Sequence, residues 1–238
     1  MRGNVHKDEG GIHMTPTLSV IVPVLNEEKG IGATLAFLAP LRARGVEVIV
    51  VDGGSQDGTV ALATPLSDQL IISAKGRGRQ LHAGAAVAHG SIFLFLHADT
   101  RLPDAADQLI FVSLGQSDGW GRFDVEIVGQ HRMLRVVSAM MNLRSRWSGI
   151  ATGDQAMFIT RDLYERVGGF PDQPLMEDIE ISQRLCRLAR PICLRERVRT
   201  SGRRWERDGV WRTILLMWRL RWRNWRGEAA ADLAKAYQ

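Results

Sequence analysis

Four short apolar runs near the start of the chain, separated by segments with helical periodicity, constrain the fold more than any other feature. The runs are rich in β-branched residues and too short for buried helices. They are Leu18–Val24, Val46–Val51, Leu70–Ser73 and Ser91–Leu96. The predicted helices between them are Glu27–Arg44, one that starts near Thr59, and Gln80–Ala88. This alternation of strand and helix predicts a parallel sheet with right-handed crossovers.

The second half of the chain is less regular and is predicted to cover that sheet. Trp120–Val128 alternates apolar and polar residues, as expected of a half-exposed strand. The other predicted elements are helix Pro103–Leu114, helix His131–Arg146, loop Gly149–Asp154, strand Gln155–Thr160, helix Asp162–Val167, helix Asp178–Leu188 and strand Pro191–Val198. The connections are short, without a linker or an internal repeat, which predicts one α/β domain over residues 17–205.

The positive charge of the chain is concentrated near its C-terminus. The formal net charge is +5, and residues 195–227 contain 11 Arg and 3 acidic residues, a net charge of +8 that leaves −3 for the rest. Such segregation predicts an anionic partner for this segment, either lipid headgroups or nucleic acid.

Residues 206–238 are predicted to form a basic amphipathic helix and tail. One stripe at helical spacing consists of Trp211, Ile214, Leu215, Trp218, Trp222 and Trp225. Trp and Arg favour membrane interfaces, which predicts a contact of residues 208–226 with a membrane surface. Packing on the same domain, or a homodimer interface, explains the stripe equally well. Nucleic acid is not expected, because the tryptophans lie at helix-packing spacing and not as an open stacking platform.

The N-terminus and the cysteines bear on the compartment. Residues 1–16 are polar and glycine-containing, without the apolar segment of a secretory signal, and are predicted to be a disordered leader. Cys186 and Cys193 lack zinc-site spacing and are interpreted as structural. A reducing, cytoplasmic setting fits this composition. No run reaches the ~20 apolar residues that span a bilayer.

Polar groups that could carry chemistry follow three of the predicted strands. Asp52 could accept hydrogen bonds from a ribose or a base, or belong to an ordinary Asp-Gly turn. His97 and Asp99 are predicted by strand periodicity to point the same way, as a metal-binding pair or as a plain strand end. Lys75, Arg77 and Arg79 lie on a predicted glycine-containing loop, which suits a diphosphate or is a solvated basic loop.

Two further acids lie at the predicted start of a helix. The helix dipole favours acids such as Glu177 and Asp178 in the first turn, which is a purely structural explanation. The functional alternative is a general base that faces a substrate hydroxyl.

In their order along the chain, these motifs resemble those of family 2 glycosyltransferases with the GT-A fold. The matching segments are Val22–Glu28, Val51–Thr59, Lys75–Gln80, Leu96–Asp99, Gly153–Ala156 and the pair Glu177-Asp178. More closely, the chain resembles a small bacterial subgroup of uncharacterised members. The resemblance covers residues 17–205 and implies a mostly parallel central sheet flanked by helices.

The resemblance implies an inverting transfer of a sugar from a UDP- or GDP-sugar to a hydroxyl acceptor. The predicted membrane contact of residues 208–226 adds the expectation that this acceptor is lipid-linked or close to a membrane. Asp178 would be the catalytic base, with Glu177 beside it. The residues implied to bind the donor are Pro23, Asn26, Glu27, Asp52, Gly54, Lys75, Arg79, His97 and Asp99. Those implied on the acceptor side are Gly153, Asp154, Gln155, Arg204 and Trp205.

The resemblance also implies a divalent metal, Mn²⁺ or Mg²⁺, bound by Asp99 with His97 as a second candidate ligand. Family members commonly carry Asp-x-Asp where this chain has His97-Ala98-Asp99. A neutral imidazole in place of the first acid weakens the charge of the site and changes its metal preference.

Three features weigh against other functions. Processive relatives carry a Gln where this chain has Ser201, ahead of Arg204-Trp205, so a polymer-extending synthase is not predicted. A sugar-phosphate nucleotidyltransferase would have its basic glycine loop after the first strand, where this chain has Leu25–Glu28. A non-catalytic membrane-binding protein with this fold would not need the acids at 52, 99 and 178.

Overall fold

The computed structural model describes residues 17–228 and 230–237, so the leader predicted for residues 1–16 lies outside the described residues. The strands are β1 (Leu18–Val24), β2 (Glu47–Asp52), β3 (Gln69–Ile72), β4 (Ile92–Phe95), β5 (Thr100–Arg101), β6 (Trp120–Val128), β7 (Met157–Thr160) and β8 (Ile192–Ser201). The helices are α1 (Glu28–Ala43), α2 (Thr59–Ala63), α3 (Arg77–Val87), α4 (Ala106–Leu114), α5 (Met133–Ser148), α6 (Arg161–Arg166), α7 (Glu177–Cys186), α8 (Arg203–Asp208), α9 (Val210–Trp225) and α10 (Ala230–Tyr237). Two 3₁₀ turns lie at Thr64–Leu66 and Gly153–Gln155.

These strands form one sheet, in the order β3-β2-β1-β4-β7-β6-β8-β5. β1 pairs in parallel with β2 and β4, and β2 pairs in parallel with β3, so the predicted parallel unit is confirmed. β7 runs antiparallel to β4 and β6, whereas β6 and β8 run parallel. Because β1, β2 and β4 are parallel, the loops after their carboxyl ends meet at one edge of the sheet.

Helices cover both faces of the parallel unit. Along β1 the side chains alternate: Val20 belongs to the core on the α1 side, with Leu35, and Ile21 belongs to the core on the α3 side, with Leu81. Burial on both faces explains why these strands read as nearly continuous apolar runs in the sequence.

β6 is buried on both faces, so the prediction of a half-exposed strand is wrong. Arg122 is fully buried, where it donates to Asp124 and, through Nε at 3.0 Å, to Ser145 of α5. The Asn142 side chain of α5 accepts from the Val125 N–H at 2.9 Å and donates to its carbonyl at 3.0 Å. Arg122 and Asp124 are polar because they bind α5, not because they face water.

The predicted basic loop from Lys75 to Arg79 is a loop only as far as Gly76, and this prediction is corrected. Gly76 has φ +142°, which favours glycine, and its carbonyl accepts the Gln80 N–H at 2.9 Å. Helix α3 therefore begins at Arg77, three residues before its predicted start. A Cβ on Gly78 would lie 2.5 Å from the Pro171 carbonyl oxygen, so the glycine lets α3 approach the loop before α7.

The predicted amphipathic C-terminal helix is present as α9. Its inner face packs through Leu216 and Leu220 against Met176 and Leu233. The tryptophans Trp211, Trp218, Trp222 and Trp225 face outward and are exposed. Within the described residues, no helix combines the length and the apolar composition needed to cross a bilayer.

Candidate active site

The loop after β2 is organised around the carboxylate of Asp52. Its Oδ2 accepts the N–H groups of Gly54 and Ser55, both at 2.9 Å, and its Oδ1 accepts the Ser55 hydroxyl at 2.5 Å. The residue is only 2% exposed. A carboxylate has about four acceptor positions, so three internal bonds leave little capacity for a ligand. Asp52 therefore mainly fixes the conformation of the loop. Gly54, in the same loop, is exposed.

The loop after β1 is connected to the same structure. Asn26, at φ +54°, donates its N–H to the Ser55 hydroxyl at 2.8 Å and accepts the Gln56 N–H through Oδ1 at 2.9 Å. The half-buried Pro23 lies opposite Val51 in the parallel register. The predicted donor residues of β1 and β2 are therefore brought together at one sheet edge.

Gln80 on α3 holds the carboxyl ends of β1 and β2 together, a role that the sequence did not predict. Its buried side-chain amide donates to the carbonyls of Val24 and Val51, both at 2.8 Å, and so joins the ends of β1 and β2. The available signal was a glutamine next to Leu81, on the side of the predicted helix that faces the sheet. A polar residue at such a position needs partners within the protein.

The carboxylates of Glu27 and Asp99 lie close enough beside those loops for their charges to interact. Burial raises the pKa of Glu27, the charge of Arg203 opposes that rise, and the charges of Asp99 and Asp57 add to it. The Arg203 guanidinium is 3.9 Å from the Glu27 carboxylate. Within residues 17–228 and 230–237, the hydrogen bonds to the Asp99 carboxylate are long ones from hydroxyls, 3.4 Å from Thr100 and 3.5 Å from Thr200. Excess negative charge and a weakly engaged carboxylate fit a bound cation.

His97 points to a different group, which corrects the expectation that it shares a direction with Asp99. β4 ends at Phe95, and the Thr100 N–H donates to the His97 carbonyl at 3.0 Å, so residues 97–99 form a turn in which strand periodicity does not apply. His97 Nδ1 lies 3.2 Å from Asp154 Oδ1. Its Nε2 is buried beside Gly153 and has no hydrogen-bond partner among the described residues.

No three His, Cys, Asp or Glu side chains are grouped as a metal site within 17–228 and 230–237. A cation at Asp99 would therefore need ligands from Glu27, from bound substrate or from water. This is chemically consistent with Mg²⁺ and Mn²⁺, which accept oxygen ligands from carboxylates, phosphates and water.

A second group of acidic side chains, Asp154, Glu177 and Asp178, lies at the start of α7 and in the neighbouring 3₁₀ turn. The N–H groups of Gly153 and Ile179 donate to the Asp178 carboxylate at 3.0 and 2.8 Å. Burial raises the pKa of Asp178, the Gly153 N–H and the Arg77 charge oppose that rise, and the Asp154 charge adds to it. A fixed carboxylate with a raised pKa can accept a proton from a substrate hydroxyl.

Glu177 lies next to Asp178 but is only 3% exposed. Burial raises its pKa, the Arg77 charge opposes the rise, and the Asp178 charge adds to it. Arg77 Nη1 is 3.4 Å from Glu177 Oε1, an ion pair without hydrogen-bond geometry. Glu177 is thus placed to act on Asp178 and Arg77 through charge.

Arg77 reaches this group, whereas Lys75 and Arg79 do not. Arg79 donates to Asp172 at 2.5 Å, and both side chains are largely exposed. Lys75 is exposed at the end of the loop. Because α3 begins earlier than predicted, its first residue faces the acidic group and its third faces the loop before α7.

The predicted acceptor residues divide into two kinds. Gln155 is fully buried, and its Oε1 accepts the Thr152 N–H at 3.1 Å, so it fixes the 3₁₀ turn. Asp154 has a side chain that is 43% exposed. Partial burial raises the pKa of Asp154, but the hydrogen bond and charge of His97, with the charges of Arg77 and Arg204, lower it overall.

A cavity of about 590 Å³ opens beside these carboxylates. Asp154, Glu177, Asp178 and Trp205 line it, together with apolar side chains of α5 and α9. Its size is typical of small-molecule sites. The site therefore has two parts, the polar loops after β1 and β2 and a largely apolar cavity, and the acids near Asp178 line the cavity.

Sequence comparisons concern the first of these parts most directly. Residues 19–112 match the sequence profile of the family described as Glycosyl transferase family 2. The chain is 26% identical over 253 residues to the probable glycosyltransferase YdaM of Bacillus subtilis, covering 94% of this chain and 58% of that protein. It is 29% identical over 192 residues to an uncharacterized glycosyltransferase of Mycobacterium tuberculosis, covering 76% of this chain and 72% of that protein. The chain thus spans little more than half of YdaM.

Solved structures share the fold. Mannosyltransferase PcManGT from Pyrobaculum calidifontis, in complex with GDP-Man and Mn²⁺, has a TM-score of 0.56 at 25% identity, covering 79% of this chain and 57% of that one. TarS 1-349 of S. aureus with UDP has a TM-score of 0.61 at 19% identity, covering 78% and 60%. Glucosyl-3-phosphoglycerate synthase of Mycobacterium tuberculosis with Mg²⁺ and UDP has a TM-score of 0.58 at 20% identity, covering 78% and 70%. The predicted GT-A fold is confirmed.

Proposed function

We propose that this chain, whose residues 19–112 match glycosyltransferase family 2, transfers a sugar from a nucleotide-sugar to a hydroxyl acceptor. The observation that carries the proposal is the Asp178 carboxylate on the wall of a cavity, fixed by two N–H groups and with a pKa that burial raises. Asp154 on the same wall contacts His97, two residues before Asp99. The structural relatives solved with GDP-Man, UDP and UDP-GlcNAc support a donor of this class.

The donor would bind at the joined ends of β1 and β2. Asn26, Asp52 and Gln80 fix the two loops before any ligand arrives, which lowers the ordering cost of binding. The Gly54 backbone and the ring of Pro23 would approach the base and ribose.

Asp99 and Glu27 would hold a divalent cation, which neutralises charge on the departing diphosphate when it is bound. Burial raises the pKa of Glu27 and the charge of Asp99 adds to that rise. Binding of a cation would lower that pKa. Arg203, close to Glu27, partly balances the pair in the absence of a cation.

Transfer would proceed by a single displacement at the anomeric carbon of the donor sugar, with Asp178 as the base. The acceptor oxygen attacks the anomeric carbon and gives its proton to the Asp178 carboxylate. A new carbon–oxygen bond forms, while the bond from that carbon to the diphosphate oxygen breaks and its electron pair leaves with the nucleoside diphosphate. Attack from the face opposite the leaving group inverts the anomeric carbon. The N–H groups of Gly153 and Ile179 hold the base in place.

A thermal-shift panel tests the proposal. UDP-glucose, UDP-GlcNAc and GDP-mannose, each with Mn²⁺, are compared with ATP and Mn²⁺, and we expect at least one nucleotide-sugar to raise the Tm. A shift with the nucleoside triphosphate and with no nucleotide-sugar would contradict the proposal and favour a nucleotidyltransferase.

We further propose that the protein rests on the cytoplasmic face of a membrane through α9 and α5. Trp218 is 70% exposed on α9 and Met140 is 56% exposed on α5, and both line the mouth of the cavity. Exposed tryptophans with neighbouring arginines suit a headgroup region. Vesicles with anionic lipid should carry the wild type upward in flotation, and a variant with Trp211, Trp222 and Trp225 changed to Ser should remain at the bottom. Equal flotation of the two would contradict this placement.

A further inference from the structure

The cavity beside Asp178 has an apolar wall that the transfer chemistry does not explain. Helix α5 contributes Met133, Val137 and Met141, and α9 contributes Ile214 and Met217. Methionine side chains are flexible and adapt to apolar ligands of varied shape. A sugar hydroxyl or a small polar acceptor would leave this wall unused.

Two arginines line the same cavity in unusual surroundings. The Nε and Nη2 atoms of Arg144, on α5, are buried and have no hydrogen-bond partner within the described part of the chain. Burial lowers the pKa of Arg221, on α9, and no described carboxylate opposes this effect. A buried guanidinium without a partner is costly, so its presence in a cavity points to an anion that completes it.

The acids of the cavity do not supply that anion. Asp154 is engaged by His97 at 3.2 Å, and Asp178 accepts two backbone N–H groups. Glu177 is paired with Arg77 at 3.4 Å. The cavity therefore presents unpaired positive charge and apolar surface together, next to a candidate base.

We propose that this cavity binds the acceptor, and that the acceptor is an amphiphile whose phosphate group contacts Arg144 and Arg221 while its apolar chain lies along α5 and α9. The role of the amphiphile as acceptor rests on the proposed function. Its binding in the cavity does not, because binding needs no donor. Guanidinium groups bind phosphate through charge-assisted, bidentate hydrogen bonds. The cavity mouth at Met140 and Trp218 is exposed, which gives such a chain a path from a lipid surface.

Binding of three probes to the full chain tests the proposal: octyl phosphate, octanol and inorganic phosphate. The quenching of tryptophan fluorescence reports binding, because Trp205 and Trp218 line the cavity. We expect octyl phosphate to bind at least tenfold more tightly than either of the others. Equal affinity for octyl phosphate and inorganic phosphate would overturn the apolar half of the proposal and indicate a soluble phosphate ester. Equal affinity for octyl phosphate and octanol would overturn the anionic half.

Variants assign the effect to the two arginines. Arg144→Met and Arg221→Met should each weaken octyl phosphate binding at least tenfold and leave octanol binding within twofold. Arg135→Met and Arg219→Met remove exposed arginines from the same two helices and serve as matched controls. Unchanged octyl phosphate affinity in both cavity variants would overturn the proposal.

The same preparations separate this proposal from the proposed function. UDP and GDP binding is measured on the wild type and on Arg144→Met, and it should be equal in the two. Octyl phosphate binding without any nucleotide binding would leave the cavity proposal standing as a binding site and refute the transferase. Nucleotide binding without preference for octyl phosphate would refute only the cavity proposal.

Discussion

The two parts of the site differ in how far their polar groups are satisfied by the protein itself. At the ends of β1 and β2, Asp52, Asn26 and Gln80 are bonded to the backbone and to each other. Around the cavity, His97 Nε2 and the Nε and Nη2 atoms of Arg144 lack hydrogen-bond partners among the described residues. The polar groups of the first region are thus ordered without a ligand, whereas those of the second region retain hydrogen-bonding capacity that a bound ligand would complete.

The largest expected effect is on the transfer rate when Asp178, the proposed base, is changed. Asp178→Asn should lower the transfer rate by between about 10²- and 10⁴-fold, because the amide cannot accept the hydroxyl proton. Donor affinity should stay within about twofold, since the residue lies in the cavity part of the site. Steady-state rates and donor titrations check this, with Asp162→Asn, an exposed acid of α6, as the matched control. Loss of donor binding would mean that the two parts are not separable.

A smaller effect, on the free energy of unfolding, is expected at Gln80, whose side-chain amide donates two hydrogen bonds within the protein. Gln80→Leu removes two donors from the carbonyls of Val24 and Val51 and should cost about 2 kcal/mol of unfolding free energy. Donor affinity should fall as well, because the ends of β1 and β2 are no longer joined. Urea unfolding measures the first effect, and Gln108→Leu, at an exposed position of α4, should change stability by less than about 0.5 kcal/mol. Unaltered stability would show that the loops are held by other contacts.

The smallest expected effect is on the pH dependence of stability and comes from the buried carboxyl group of Glu177. The pKa of Glu177 is raised above its ordinary value of 4.5, so this group stabilises the fold at low pH and loses that contribution as pH rises through the raised pKa. Glu177→Gln has no charge to bury and should be more stable than wild type at pH 7, by about 1 kcal/mol, with no difference near pH 4. Urea unfolding at both pH values checks this, with the exposed Glu196→Gln as control. A variant less stable than wild type at pH 7 would contradict the sign.

The sequence was most informative where one physical signal dominated. The parallel unit followed from apolar runs and helical spacing, because burial on both faces leaves few alternatives. The motif order predicted that Asp52, Asn26 and Asp99 would lie near one edge. The structure places the loops of Asp52 and Asn26 together there, and Asp99 beside Glu27.

The sequence was least informative where side chains bind partners distant in the chain. Arg122 and Asp124 had the alternation of an exposed face, and only the packing of α5 explains their burial. The start of α3 depended on the backbone conformation of Gly76, and this decided that Arg77 reaches the acidic group in place of Arg79. The cavity joins α5 to α9, a juxtaposition that no local pattern predicts.

Calorimetric titration of the full chain with UDP and with GDP, each with and without Mn²⁺, tests the central claim most directly. We predict that one of the two nucleoside diphosphates binds with one-to-one stoichiometry, at least tenfold more tightly when Mn²⁺ is present. Absence of binding by both nucleotides under both conditions would contradict the assignment of the β1 and β2 ends as a donor site.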